Sequence, residues 1–174
     1  MRALEFWKTV TIDRVDLLGQ LIGLLNERGV DYCVIGGQAV NAYVEPLVSL
    51  DLDLVIAPGQ ILEIEGELRT RFRVEAFPHS LDVSSPGSDL RVQIQTDPRY
   101  APFVQRASMR EVLGLRLPVA DVADVLQGKV WAASDPQRRG TRRRKDLLDI
   151  ERLVEAFPGL RRLVPPGLLS ARTG

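Results

Sequence analysis

Cysteine and histidine are almost missing from this chain: Cys33 and His79 are the only ones in 174 residues. One cysteine makes no internal disulfide, which suits a reducing compartment. One histidine with no second to join it excludes a histidine-based metal site. Aromatic residues amount to 6%, with no paired aromatics of the kind that stack RNA bases, so any nucleic-acid contact is expected to run through the phosphate backbone. No apolar run approaches the roughly 18–20 residues of a membrane span. The opening MRALEFWKTVTIDR lacks the charged-then-apolar layout of a signal peptide, so the expected address is the cytoplasm, with no membrane partner. Walker A, Gly-x-Ser-x-Gly and dinucleotide fingerprints are absent as well.

Net charge is absent too, with 23 basic residues against 23 acidic. The balance conceals an asymmetry: Glu45 to Asp97 holds ten acids and four arginines, whereas Lys129 to Arg152 holds eight basic residues and four acids. What remains is ordinary globular stock, 45% hydrophobic and 26% charged. The length is that of one domain, expected to bury on the order of 70% of its unfolded surface.

Thr11 is placed to cap a helix reaching Arg28, with Val15, Leu18, Ile22 and Leu25 on one face and Gly29 at a left-handed stop. Asp31 to Ile35 reads as a buried strand running into Gly36-Gly37 and a short helix, Gln38 to Tyr43. Leu50 to Ile56 reads as a second strand, ended by Pro58-Gly59, and Ile61 to Arg71 as a helix. Arg71 to Phe77, Leu81 to Ser84 and Leu90 to Thr96 read as strands, the last two around a Ser-Pro-Gly-Ser-Asp turn, with more strand or loop to Leu117. Asp121 caps a helix to Ala133. Thr141 caps another to Phe157, its apolar face formed by Leu147, Ile150, Leu153, Val154 and Phe157. This order predicts an α/β (α+β) domain: a mixed-sheet core over about 12–117, C-terminal helices over 121–157 and a loose tail over 158–174.

Two features carry the chemistry. Val34-Ile-Gly-Gly37 ends one strand, and Leu50-Asp-Leu-Asp-Leu54 lies on the next, with thirteen residues between Gly37 and Asp51. Alternation puts Asp51 and Asp53 on one face and the leucines on the other. Two carboxylates so placed repel each other, and a divalent cation removes that repulsion; Mg²⁺ takes carboxylate oxygens supplemented by substrate phosphates. A glycine pair lets backbone approach a ligand, and its N–H groups can hold a phosphate. Taken singly, Gly-Gly is an ordinary loop and Asp-x-Asp an ordinary solvated face. Their conjunction on consecutive strands is far less common and describes a phosphoryl-transfer site.

Gly36-Gly37, the gap, and Asp51-Leu-Asp53-Leu54 resemble the signature of the DNA polymerase β-type nucleotidyltransferase superfamily. The downstream order is Asp124-Val-Leu-Gln-Gly-Lys129, Ala132-Ala133, Arg138 or Arg139, and Lys145-Asp146-Leu-Leu-Asp149-Ile. It is similar to the C-terminal helices of small bacterial AbiEii-type toxins of toxin–antitoxin systems. The resemblance spans roughly Val15 to Phe157. It implies a nucleotidyltransferase-like core and transfer of a nucleoside monophosphate from an NTP to an RNA, tRNA, protein or small-molecule acceptor. It also implies one or two Mg²⁺ ions and an antitoxin protein as partner. Residue by residue, it implies Asp51 and Asp53 as metal ligands, Gly36 and Gly37 as phosphate-binding glycines, and Lys129 as a helical phosphate contact.

This sequence departs from the pattern at the third carboxylate, expected on Leu90 to Gln95. With Leu90, Val92 and Ile94 facing the core, Arg91, Gln93 and Gln95 face the site, and Gln93 stands where aspartate belongs. An amide offers an oxygen but neither charge nor general-base capacity. Asp89 shares that parity and is the alternative metal ligand, ahead of Asp82 and Asp97. No arginine stands in the approach Pro46 to Leu50 just ahead of Asp51; Ser49 is the polar residue there, able to touch a phosphate but not to clamp one. Arg142 and Lys145, in the run Arg138 to Lys145, are expected to grip polyphosphate or an RNA acceptor. The same run also allows i,i+4 pairs of Arg142 with Asp146 and Lys145 with Asp149. Cys33 reads as inert core, and Trp7 and Trp131 as packing residues. Three readings stay open at this point: an active nucleotidyltransferase, a catalytically degenerate nucleotide- or partner-binding domain of the same fold, and an α/β domain whose acidic pair is only surface.

Overall fold

The structure, a computed structural model, describes residues 16–57 and 59–169. Helix α1 (Leu17–Glu27) buries Leu17, Leu18, Leu21, Ile22, Leu24 and Leu25 on one stripe. Its N-cap is Asp16, whose carboxylate accepts from Gly19 N at 3.3 Å; the Thr11 cap and Val15 lie outside the described residues. Gly29, at φ 62°, ends it in the expected left-handed turn.

Strand β1 (Tyr32–Ile35), fully buried, leads into the short helix α2 (Gly36–Asn41), and β2 (Asp51–Ile56) follows. Next come α3 (Gln60–Arg71), β3 (Arg73–Phe77), β4 (Ser80–Ser84) and β5 (Arg91–Gln95). A 3₁₀ segment, Pro98–Arg106, stands where strand or loop was expected. Pro98 and Pro102 disfavour a ladder, and Tyr100 and Phe103 are buried beside Trp131. The hairpin β6 (Ser108–Val112) and β7 (Leu115–Val119) precedes α4 (Val122–Ser134) and α5 (Gly140–Ala156).

All strands join one mixed sheet in the order β3-β4-β5-β2-β1-β7-β6. β2 pairs antiparallel with β1 and parallel with β5, so the Asp51–Asp53 strand runs through its middle. Leu52 and Leu54 are fully buried in a core that also holds Val34, Val92, Ile94 and Leu126.

Asp121 caps α4 as expected, accepting from Ala123 N. Helix α5 begins one residue ahead of Thr141, with Arg139 at its N-cap and no side-chain cap bond. The segment expected to be a loose tail is in part built: Pro158–Leu163 forms a 3₁₀ turn, and Leu160, Leu163, Val164, Leu168 and Leu169 pack against the core. Apolar spacing too short for a full helix still buries side chains. Residues 170–174 lie outside the described set.

Candidate functional site

Gly36 follows directly on β1 with φ 69°, a conformation that favours glycine. A Cβ at this position would fall on Oδ2 of Asp53. The first glycine is therefore bare because the second aspartate lies over it. Gly37 faces open space, where a Cβ would meet nothing within 4 Å. The N-cap of α2 is Ile35, which offers no side-chain acceptor to the helix N–H groups.

Both glycine and carboxylates open on one cleft of about 510 Å³ between the polar face of the sheet and helices α2, α4 and α5. Asp51, Asp53, Gly37 and Ser49 line it on one side, and Lys129, Arg138, Arg142 and Lys145 on the other. Asp51 is exposed and paired with Arg91 at 3.0 Å. Asp53 sits deeper: burial pushes its carboxyl up to about 6, opposed by the Lys129 ammonium and reinforced by Asp51. Ser49 shapes the approach, its Oγ accepting from Asp51 N at 3.3 Å while its carbonyl accepts from Gln38 Nε2 at 3.0 Å.

The register places the remaining acids. Asp53 pairs with Gln93, and Gln93 in turn with Asp82, so these three share one row across β2, β5 and β4. Gln93 donates from Nε2 to Ser80 Oγ at 3.2 Å. Asp82 lines the cleft, and its Oδ1 is buried with no hydrogen-bond partner. Its carboxyl is raised, first by burial and then by Glu75, against the pull of Arg142 and Arg91. Asp89 is exposed at the turn before β5, outside the cleft lining. Among the described residues no three His, Cys, Asp or Glu side chains cluster closely enough to hold a metal ion. The donor set suits a single Mg²⁺, with Asp51 and Asp53 as charged ligands and the rest of its shell from water and phosphate.

Lys129 is committed in a way its position in the sequence did not reveal. Its side chain, 11% exposed, bonds Asp146 at 3.0 Å and Asp149 at 2.8 Å. Arg138 closes on Asp146 at 2.8 Å and Arg152 on Asp149 at 2.8 Å. The expected i,i+4 pairs on α5 are thus replaced by an inward network: Asp146 and Asp149 are buried, whereas Arg142 and Lys145 remain exposed on the cleft. Buried carboxylates require buried partners, and Lys129 with two arginines supplies them. Arg143 serves structure as well, donating to Ala133 O at the end of α4. Asp146 and Asp149 were missed as site residues because helical spacing alone does not say which neighbour a carboxylate turns toward.

Several solved structures share this fold. The antibiotic-resistance factor ANT(2'')-Ia superposes with TM-score 0.59 at 14% identity, over 86% of this chain and 90% of its own. The lincosamide antibiotic adenylyltransferase LnuA gives 0.55 at 13% identity, over 84% and 99%. An antigenic nucleotidyltransferase-like protein from Paracoccidioides brasiliensis gives 0.52 at 17%, over 84% and 78%. No functionally curated protein matches the sequence. The fold is that of the nucleotidyltransferases.

Within that class the match is more particular. Residues 36–169, from Gly36 to the last described residue, match the family of the nucleotidyl transferase AbiEii toxin of type IV toxin–antitoxin systems, and the chain belongs to that family. It is accordingly a transferase by class.

Proposed function

We propose that the cleft binds an NTP with Mg²⁺ and transfers its nucleoside monophosphate to an acceptor hydroxyl, with the chain serving as the toxin of a toxin–antitoxin pair. The observation that carries this reading is the seating of Asp53 on bare Gly36, with Asp51 beside it and exposed cations opposite. Asp51 and Asp53 hold the ion, which supplies charge neutralisation at the reacting phosphate. Arg142, Lys145 and the Gly37 backbone hold the phosphates, with Ser49 at the entrance. Lys129 acts on phosphate only at long range, since Asp146 and Asp149 already occupy its ammonium. In the transfer the acceptor oxygen forms a bond to the α-phosphorus, the bond to pyrophosphate breaks, and the acceptor proton passes to a carboxylate. Asp82, which lines the cleft in the same row as Asp53, is the carboxylate assigned to it. The likeness to the lincosamide antibiotic adenylyltransferase LnuA supports this reaction class. An RNA or tRNA acceptor suits the exposed basic face of α5.

One observation favours a second reading, a domain that binds nucleotide without chemistry: the neutral Gln93 lies in register with Asp53 where a third charged ligand would complete the set. Incubation with α-labelled NTPs, Mg²⁺ and total RNA separates the two. Label on RNA with pyrophosphate release, lost in Asp51→Asn/Asp53→Asn, is the expected outcome. Nucleotide binding with neither product establishes the second reading instead.

A further inference from the structure

Six large apolar side chains are markedly exposed among the described residues: Leu47, Val48, Leu62, Phe77, Met109 and Leu148. Three of these, Leu47, Val48 and Leu148, line the same charged cleft. Scattered apolar exposure means nothing in itself, but apolar side chains gathered at the mouth of a polar cleft mark a ligand contact. They arrive from two segments a hundred residues apart, so the fold and not the local sequence assembles them.

The lip is held in place. Asn41 Nδ2 donates to Leu47 O at 2.7 Å, and Leu47 N donates to Asn41 Oδ1 at 3.0 Å. Ser49 O accepts from Gln38, and Arg152 of α5 donates to Glu45 O. The backbone on both sides of Val48 is therefore tied down. The Arg152 bond also draws this loop against the turn of α5 that carries Leu148.

Charge and apolarity follow each other along both walls. On α5, Arg142, Lys145 and Leu148 share one face at three-residue steps, and Lys145 to Leu148 is a rise of about 4.5 Å. On the opposite wall, Val48 lies within about 10 Å of chain reach of Asp51. A polyphosphate held at the charged end thus leaves its nucleoside at the apolar end.

We propose that Leu47, Val48 and Leu148 form the nucleobase subsite of this cleft, gripping the flat faces of the base without reading its edge. The inference rests on the nucleotide-binding reading above and deepens it. No aromatic ring lines the cleft, so the contact is dispersion and apolar burial, not ring stacking. The neighbouring amide, Asn41, is spent on Leu47 and Arg152 and leaves no edge readout on this side. Adenine and guanine are therefore bound alike.

Calorimetry with Mn²⁺ and, in turn, ATP, GTP and inorganic tripolyphosphate tests this on the full chain and on Val48→Ser, Leu148→Ser and the double variant. Both side chains are exposed, so thermal unfolding should be unchanged, and tripolyphosphate reports an intact charged end. ATP and GTP should bind within about threefold of each other and at least about tenfold more tightly than tripolyphosphate. The double variant should lose about tenfold on both nucleotides and stay within about twofold on tripolyphosphate. Equal affinity for ATP and tripolyphosphate, a purine preference well beyond threefold, or nucleotide affinity that survives the double variant would overturn the inference; in the last case the lip belongs to a protein partner. If the unaltered chain binds neither nucleotide nor tripolyphosphate, the nucleotide-binding reading itself falls, and this inference with it.

Discussion

Oδ2 of Asp53 lies so close to Gly36 that a Cβ on that glycine would collide with it. A strand-end glycine and a mid-strand aspartate thereby form one unit, brought together because β1 and β2 pair antiparallel with Ile35 opposite Asp53. The Gly36 turn and the Asp53 carboxylate cannot be displaced independently.

Replacing Gly36 and Gly37 one at a time should separate these roles. Gly36→Ala must adopt φ 69° and displace Asp53. A left-handed alanine alone costs roughly 1–2 kcal/mol, and the collision raises the expected loss in urea unfolding to about 2–4 kcal/mol. Mn²⁺ binding should fail with it. Gly37→Ala lies in α2 with open space around it, so its stability should stay within about 1 kcal/mol of the starting protein. Equal losses in the two variants would show that Asp53 does not rest on Gly36.

The Lys129 network and the exposed cations of α5 should respond in opposite ways. Lys129→Met leaves Asp146 to Arg138 alone and Asp149 to Arg152 alone, removing two buried charge-assisted bonds at an expected cost of about 2–4 kcal/mol. Arg142→Ala and Lys145→Ala remove exposed charges and should stay within about 0.5 kcal/mol in stability, while weakening ATP and tripolyphosphate binding. Denaturation curves and calorimetry on the same three variants check both halves.

That network also has a pH signature. Burial disfavours the Lys129 ammonium, but Asp149 and Asp146 outweigh it and hold its pKa above the ordinary 10.5. A raised lysine stabilises the fold fully below its unfolded value and loses that contribution as pH climbs through the folded one. The stability margin over Lys129→Met should therefore be flat from about pH 6 to 9 and shrink only above about 10.5. A margin that falls near neutrality would contradict the pairing.

Cys33 offers a test of the core. Its thiol is buried in β1 and pushed up to about 12, chiefly by desolvation and further by Asp124. At pH 8 it should resist a thiol reagent in the native protein and react fully in guanidinium. Because the folded state keeps the proton that the unfolded thiol gives up near 9, this group lowers stability as pH rises from about 9 toward 12.

Much of the frame was legible in the chain itself. The leucine spacing of α1, the glycine stop at position 29, the Asp121 cap and the alternation of Leu50 to Leu54 are local patterns, set by backbone sterics and side-chain period. The structure keeps each of them. The parity of Leu90, Val92 and Ile94 likewise turned Arg91 and Gln93 to the polar face, and all three apolar residues are buried. Where expectation and structure part, a distant neighbour decides. The 3₁₀ turn at Pro98–Arg106 is covered by Trp131, and Pro158–Leu163 is drawn in by the core rather than left loose.

By itself, then, the sequence determined that two acids share a strand face behind a glycine pair, because pleat and chirality act on every residue regardless of its surroundings. Only the tertiary structure decided which charges stay free. Asp146 and Asp149 take Lys129, Arg138 and Arg152 inward, so that Arg142 and Lys145 are left to the cleft. Asp82 likewise joins the row of Asp53 only through the order of β2, β5 and β4. Ion pairing and burial depend on groups many residues apart in the chain, and no local pattern encodes that choice.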